Sequence, residues 1–285
     1  EYLINRMQAT GVASIVHPTE FGLSPTGSFF WSKGAKVVIT IHDLIHEKFG
    51  APGNLYNPTQ RLDFYSMANG YIFVSQSTKN DFSEHYPSLL DSKPSKVIRH
   101  GCNFETQTIA PKKKKQFLFV GSREGYKNFP NACLAFERTA AIDSDCSLAV
   151  VGSPPNHNEL EWVEKFGTRI KWFCHPSHQI LQNLYADSLG LLYVSKYEGF
   201  GMPLLEAMSQ GCVPIAGSHS SIPEVLGDAG IMVDVTEPTE ISRAMLECLN
   251  NPNFFDGAVQ EGLKRTLAFS WSKTAEETLS FYESL

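Results

Sequence analysis

The sequence has no C-x-x-C pair: its six cysteines, Cys102, Cys133, Cys146, Cys174, Cys212 and Cys248, are scattered along the chain. That spacing excludes a zinc ribbon or a disulfide-stapled scaffold and fits the reduced thiols of a cytoplasmic protein. There is no apolar run approaching the ~18 residues of a membrane-spanning helix, and no signal-peptide pattern. A basic excess is also missing. The 24 Lys and Arg against 30 Asp and Glu leave a net charge of −6, which argues against nucleic acid as a partner. The histidines other than His42 form no H-x3-H or H-E-x-x-H metal pattern among themselves.

What is present is a composition that buries a core. The 285 residues are 42% hydrophobic and 19% charged, enough for two domains at ~150 residues each. Short β-branched runs at 14–16, 37–41, 71–74, 96–98, 116–120, 147–151, 169–173, 190–194, 213–216 and 230–233 read as strands. Helical patterns lie between them, near 58–69, 77–85, 129–141, 158–166, 177–186, 203–210, 239–249 and 256–268. Several strands are apolar throughout, as parallel strands covered on both faces are. The alternation predicts βαβ units and doubly wound sheets. Residues 106–115 (TQTIAPKKKK) break the composition and read as an interdomain linker. The lysine run has a second reading, contact with anionic lipid at ~1 kcal/mol per basic residue. After it, residues 271–285 carry an apolar stripe at helical spacing, with Ser270 as N-cap.

Three strand ends carry chemistry. The first is Glu198-Gly-Phe-Gly-Met-Pro-Leu-Leu-Glu206, which follows the strand GLLYVS. Ligands of open α/β sheets bind at the carboxyl ends of strands. Gly199 and Gly201 permit a tight path and Pro203 suits a first helical turn. The helix start that results attracts an anion, with Glu198 in the loop and Glu206 one turn into the helix. Two carboxylates thus flank a phosphate-bearing ligand and accept from its hydroxyls. Taken singly, Glu206 could merely complement the helix dipole and Glu198 could be a solvated loop acid. The second is Gly121-Ser-Arg123-Glu-Gly-Tyr-Lys127-Asn128, where two cations in a strand-to-helix loop suit a diphosphate and Asn128 reads as an N-cap. The third is Val38-Ile-Thr-Ile-His42-Asp43, where His42 can donate a hydrogen bond or accept a proton. Asp43 either orients that ring or caps the turn.

The E-x7-E pair Glu198 and Glu206, the surrounding EGFGMPLLEAMSQGCVPIAG, SSIPEVLGDAGIMV at 220–233 and LYADS at 184–188 resemble the retaining glycosyltransferases of family 4, the glycosyl transferases group 1. The resemblance implies the GT-B fold, two facing Rossmann-like doubly wound domains. Residues 1–108 would form the acceptor-side domain and 109–114 the linker. Residues 115–268 would bind a nucleotide sugar, and 269–285 would be a helix returning to the first domain. The chain opens at Glu1 as if inside a helix, and the strand and glycine-rich loop with which the family begins are not found before Ser14. The N-terminal domain is therefore expected to be truncated.

The resemblance also implies roles. Arg123 and Lys127 neutralise the leaving nucleoside diphosphate, although the family places its arginine directly after the glycine, where this chain has Ser122. Gly199, Phe200, Gly201, Met202 and Leu204 line the phosphates and sugar. Glu198 holds a hydroxyl of the transferred sugar and Glu206 the ribose. Cys174 and His175 lie in the loop that meets the base, and His42 faces the cleft near the acceptor. No separate cofactor is implied: the donor is a UDP- or GDP-linked sugar, and the acceptor a saccharide or lipid-linked saccharide. A D-x-D cluster of the kind that holds a divalent metal on a sugar nucleotide is not found, so the expected enzyme is metal-independent. It would be cytoplasmic, with peripheral contact at the inner face of the membrane as an option. A non-catalytic nucleotide-sugar-binding protein of the same fold and a nucleotide-sugar epimerase are the alternatives.

Overall fold

The computed structural model describes residues 15–18, 34–50, 57–107, 113–123 and 125–285. The chain divides into two compact units, Glu1–His100 with Trp271–Leu285, and Gly101–Ser270.

In the first unit, β1 (Ile15–Val16), β2 (Lys36–Ile41), β3 (Gly70–Phe73) and β4 (Ser95–Val97) form a parallel sheet in that order. Helices α1 (Ile45–Phe49), α2 (Pro58–Ser66), α3 (Gln76–His85) and α4 (Pro87–Asp91) alternate with the strands. Side chains alternate across a pleated strand, so Val37, Ile39 and Ile41 join Phe64, Tyr65 and Phe82 in one core. Val38 points to the other face.

The second unit is a six-stranded parallel sheet in the order β10-β9-β8-β5-β6-β7. Its strands are β5 (Lys114–Val120), β6 (Ser147–Gly152), β7 (Ile170–Cys174), β8 (Ser188–Tyr193), β9 (Val213–Gly217) and β10 (Ile231–Val233). The helices are α5 (Phe129–Ile142), α6 (Leu160–Phe166), α7 (His178–Asp187), α8 (Met202–Ser209), α9 (Ile222–Leu226), α10 (Pro238–Asn250) and α11 (Pro252–Thr266). The central strands are apolar on both faces: Phe117, Leu118 and Phe119 are all buried, as are Leu191 and Leu192. Gly190 lets β8 close on β5, since a Cβ there would meet the Phe117 ring at 3.0 Å and the Val213 carbonyl at 3.2 Å. The expected strands are found within about two residues of their bounds, the start of the first lying outside the described residues. Helices α1, α4 and α9, five residues each, are too short to show a helical period.

The division between units falls at His100 and Gly101 rather than in the lysine-bearing stretch expected as the linker. Backbone N–H of Gln107 donates to the Ser209 carbonyl at 2.9 Å, and Gln210 Nε2 to the Glu105 carbonyl at 2.9 Å, so this segment already belongs to the second unit. Residues 108–112 lie outside the described ones. The next three lysines are engaged internally. Lys113 donates to the carbonyls of Ala186 and Gln210, both at 2.8 Å. Lys114 pairs with Asp187 at 2.5 Å and Lys115 with Asp143 at 2.7 Å. The ends of α7 and α8 present carbonyls that lack helical partners, and the Lys113 ammonium fills that need.

From Ser270 the chain returns to the first unit as α12 (Trp271–Glu283). Phe281 packs with Val38, Ile72 and Ile98, and Tyr282 and Leu285 extend the contact. Where α12 begins, His100 lies against Trp271 (5.3 Å between ring centroids) and stacks on His42 at 5.4 Å. Nearby, His17 Nε2 meets Thr40 Oγ1 at 2.8 Å and its Nδ1 meets the Tyr282 hydroxyl. His17, Thr40, His42, His100 and Trp271 line a cavity of about 270 Å³. Among the described residues, no helix is long and apolar enough to cross a membrane.

This packing has two measurable outcomes. Truncating Phe281, 4% exposed, leaves a cavity against the sheet, so Phe281→Ala is expected to cost about 3–4 kcal/mol, read as a lower urea midpoint. Burial, reinforced by His42, pushes the His100 imidazole down from 6.5 to about 4. The unfolded chain therefore binds more protons than the folded one between those values, and stability falls as the pH drops through that window. His100 alone accounts for at most about 3 kcal/mol. The melting temperature is expected to be lower at pH 5 than at pH 7, with a smaller difference in His100→Gln.

Candidate functional site

Because β5 and β8 are adjacent and parallel, the loops that leave their carboxyl ends open side by side. The loop after β5 carries Lys127 and the loop after β8 carries Glu198. Lys127 Nζ lies 2.6 Å from Glu198 Oε1, with both side chains largely buried. The ammonium also sits over the rings of Tyr126 (5.1 Å) and Tyr193 (5.9 Å). The Tyr193 hydroxyl bonds to Glu198, and burial together with that carboxylate pushes its ionisation far up, so it stays a donor.

The loop itself is held by its backbone. Ser220 Oγ accepts from the Glu198 amide at 3.1 Å, and Ser221 Oγ donates to the carbonyls of Glu198 (2.8 Å) and Phe200 (2.9 Å). Phe200 is buried, its ring 6.1 Å from that of Phe269. Gly201, at φ 114°, turns the chain into α8. A side chain there would be strained and would press on Leu204 Cδ1 at 3.0 Å. Met202 opens the helix. Leu204, expected to aim its amide at a phosphate, instead donates it to the Gly201 carbonyl at 3.0 Å, and its side chain is fully buried.

Glu206, one turn into α8, is 9% exposed. Asn103 Nδ2 donates to its Oε1 at 3.1 Å and the Tyr185 hydroxyl to its Oε2 at 3.0 Å. Among the described residues no Lys or Arg lies at ion-pair distance from it. Glu198 is thus a neutralised acid and Glu206 a buried acceptor held by uncharged donors.

Arg123 is not brought to this cluster. Its Nε pairs with Glu159 at 2.7 Å, its Nη2 donates to the Pro154 carbonyl at 2.8 Å, and its guanidinium lies over Trp172 (4.9 Å) and Phe129 (5.8 Å). A carboxylate, a carbonyl and two aromatic faces hold the guanidinium under the loop, while its Nη1 is buried without a hydrogen-bond partner among the described residues. Asn128, expected to cap α5, makes no cap bond; it sits in the left-handed region (φ 59°) and donates Nδ2 to the carbonyls of Val194 (3.2 Å) and Val235 (2.7 Å). Asn128, His175 (φ 49°) and Ser220 (φ 52°) are the non-glycine residues of positive φ among those described. All three lie in loops at strand carboxyl ends, where strain clusters at functional sites. Cys174, exposed, ends β7 and His175 comes directly after it.

Two further spacings in the sequence have structural explanations. Asp143-Ser-Asp145 has D-x-D spacing but forms the turn between α5 and β6, where Asp143 accepts from the Asp145 amide at 3.1 Å and pairs with Lys115. His42 and His46 are H-x3-H, yet α1 begins only at Ile45, so they do not share a helical turn. His42, at the end of β2 in the first unit, stacks on His100, and burial lowers its basicity while Asp43 partly restores it. Of the two readings of Asp43, the structure supports the turn: its Oδ1 accepts from the Ile45 amide at 3.0 Å. Tyr193, Tyr185, Asn103 and Ser221 are not singled out by sequence. Only the motif fragments LYADS and SSIPE signal two of them.

The sequence profile of the glycosyl transferases group 1 matches residues 103–265. O-antigen chain mannosyltransferase B of Escherichia coli is 32% identical over 174 residues, 59% of this chain and 45% of that protein. MMP alpha-(1->4)-mannosyltransferase of Mycolicibacterium hassiacum is 31% identical over 151 residues, 50% of this chain and 36% of that protein. The matches therefore span less than half the length of these relatives. Among solved structures, HepE of Anabaena, in complex with UDP and glucose, superposes with a TM-score of 0.79 at 15% identity over 100% of this chain and 82% of that one. With a profile match over more than half its length, strand-end loops in the expected order and this superposition, the chain belongs to the glycosyl transferases group 1 and has the GT-B fold.

Proposed function

We propose that this chain binds a UDP- or GDP-linked hexose and serves its transfer, with retention of configuration and without a metal, to a saccharide or lipid-linked saccharide. The observation that carries this reading is the Lys127–Glu198 pair at 2.6 Å beside the start of α8, with Glu206 one turn further on. Lys127 and the amides at Gly201 and Met202 would receive the diphosphate, Glu198 a hydroxyl of the transferred sugar, and Glu206 the ribose diol. As the sugar–phosphate bond breaks, charge grows on the leaving diphosphate, and donors already fixed in place supply most of such stabilisation. Arg123 would act from below by fixing the loop. Cys174 and His175 stand at the loop assigned to the base, and His42 is the candidate on the acceptor side. The mannosyltransferases among its relatives support a mannosyl group as the first sugar to test. Free cysteines among the described residues support a reducing, cytoplasmic compartment. Of the described lysines of that run, Lys113 is held by carbonyls, whereas Lys114 and Lys115 lie at the surface, where they could meet an anionic membrane.

Calorimetry with UDP, GDP and their mannose and glucose conjugates tests the reading. One base is expected to bind, and Glu206→Ala to weaken it by about tenfold or more. No binding of any of them would overturn the donor site. Binding and slow sugar conversion without an acceptor would favour the epimerase, and binding with no turnover the non-catalytic protein. Lys127→Ala is expected to weaken the nucleoside diphosphate by about tenfold to a hundredfold while leaving the nucleoside unaffected. Arg123→Ala is expected to act on stability instead, at about 3–5 kcal/mol for a buried pair broken on one side. Equal effects of the two substitutions on diphosphate affinity, with stability unchanged, would return Arg123 to the phosphates.

A further inference from the structure

Glu206 is a buried carboxylate that no cation offsets among the described residues, and buried acids need donors. Its two donors come from different places in the chain. Tyr185 lies near the end of α7, wholly buried, and its ring would be as well packed by phenylalanine; only the hydroxyl bond to Oε2 at 3.0 Å distinguishes it. Asn103 lies in the segment that runs along α8. That segment is fastened independently of Asn103, by Cys102 N–H to the Phe269 carbonyl (3.2 Å), Gln107 Nε2 to Gln210 Oε1 (3.0 Å) and the Thr106–Thr266 hydroxyl pair (3.0 Å). Neither bond is therefore required to close the fold around it.

A carboxylate offers about four acceptor positions over its two oxygens. One donor on each oxygen stops the group rotating and leaves each oxygen able to accept again. Two acceptors held at a fixed spacing match two adjacent hydroxyls. An ammonium in place of either donor would neutralise the acid, as Lys127 does Glu198, and weaken it as an acceptor.

We propose that Tyr185 and Asn103 are positioning residues that set Glu206 as a rigid, un-neutralised acceptor for the vicinal diol of the donor's ribose, and so fix the chain's preference for ribonucleotides. The proposal rests on the donor-site reading above. Tyr185 can act in this way at all working pH, because burial and the neighbouring Glu206 keep its hydroxyl protonated.

The test measures the affinity of the full chain for GDP and UDP, each beside its 2′,3′-dideoxy form, in the parent, Glu206→Gln, Tyr185→Phe and Asn103→Ser. The parent is expected to prefer the ribose form by about tenfold or more, and Glu206→Gln to lose the preference. Tyr185→Phe and Asn103→Ser are each expected to cut it by about threefold or more, with dideoxy affinity near the parent's. If both keep the parental preference while Glu206→Gln loses it, the donor site stands and the positioning proposal falls. The proposal falls equally if either variant weakens ribose and dideoxy forms alike, which is the mark of a merely structural residue. Retention of the preference in Glu206→Gln, or no nucleotide binding by the parent, would overturn the ribose assignment itself and this inference with it.

Discussion

The parallel pairing of β5 with β8 is the constraint on which the site depends. With Phe117 opposite Gly190 and Leu118 opposite Leu191, two strands more than seventy residues apart in sequence end at the same edge of the sheet. Their loops then have to share space. The side chains that fill it decide the chemistry: an ammonium from one loop, a carboxylate from the other, and tyrosine rings around both. A one-residue slip in this register would turn each strand's side chains to the opposite face and separate the pair.

The second unit deals with buried charge in three different ways. Lys127 meets an acid and two tyrosine rings, Arg123 an acid, a carbonyl and two aromatic faces, and Lys113 hydrogen-bonds to carbonyls. Burial pushes the Lys113 ammonium down to about 8, and Cys212 and Asp187 nearby offset only part of that. A buried ion pair contributes little net stability, but loss of one partner is costly. Arg123 and Lys113 therefore make poor candidates for free surface chemistry, however exposed their sequence context looks.

The strands and their parallel character were legible in the sequence because apolar runs of five or six residues between turn signals have few other uses. Glu198, Glu206 and Lys127 were legible because their spacing ties them to strand ends. The direction of Arg123 was not legible, because sequence gives the residue's loop while Glu159, thirty-six positions away, holds its side chain. Asn128 has the position of a cap, whereas its backbone adopts φ 59° and its amide reaches two other loops. The lysine run resembles a hinge by composition alone. Tyr185 and Asn103 left little trace, since a tyrosine on the apolar side of a helix reads as core and an asparagine in a loop as a turn. Their importance exists only once α7, α8 and the segment after Gly101 are folded together.

The fastening of that segment has a consequence for chain length. Gln107 is tied to Ser209 and Lys113 to Gln210, so the two sides of the interval 108–112 are fastened at consecutive residues of one helix end. The interval between them is closed at both ends by bonds that do not depend on its own sequence. Closing a loop costs only about 0.6 kcal/mol more for each doubling of its length. A change of length between Gln107 and Lys113 is therefore expected to leave the acids and the ammonium of the site where the sheet has put them.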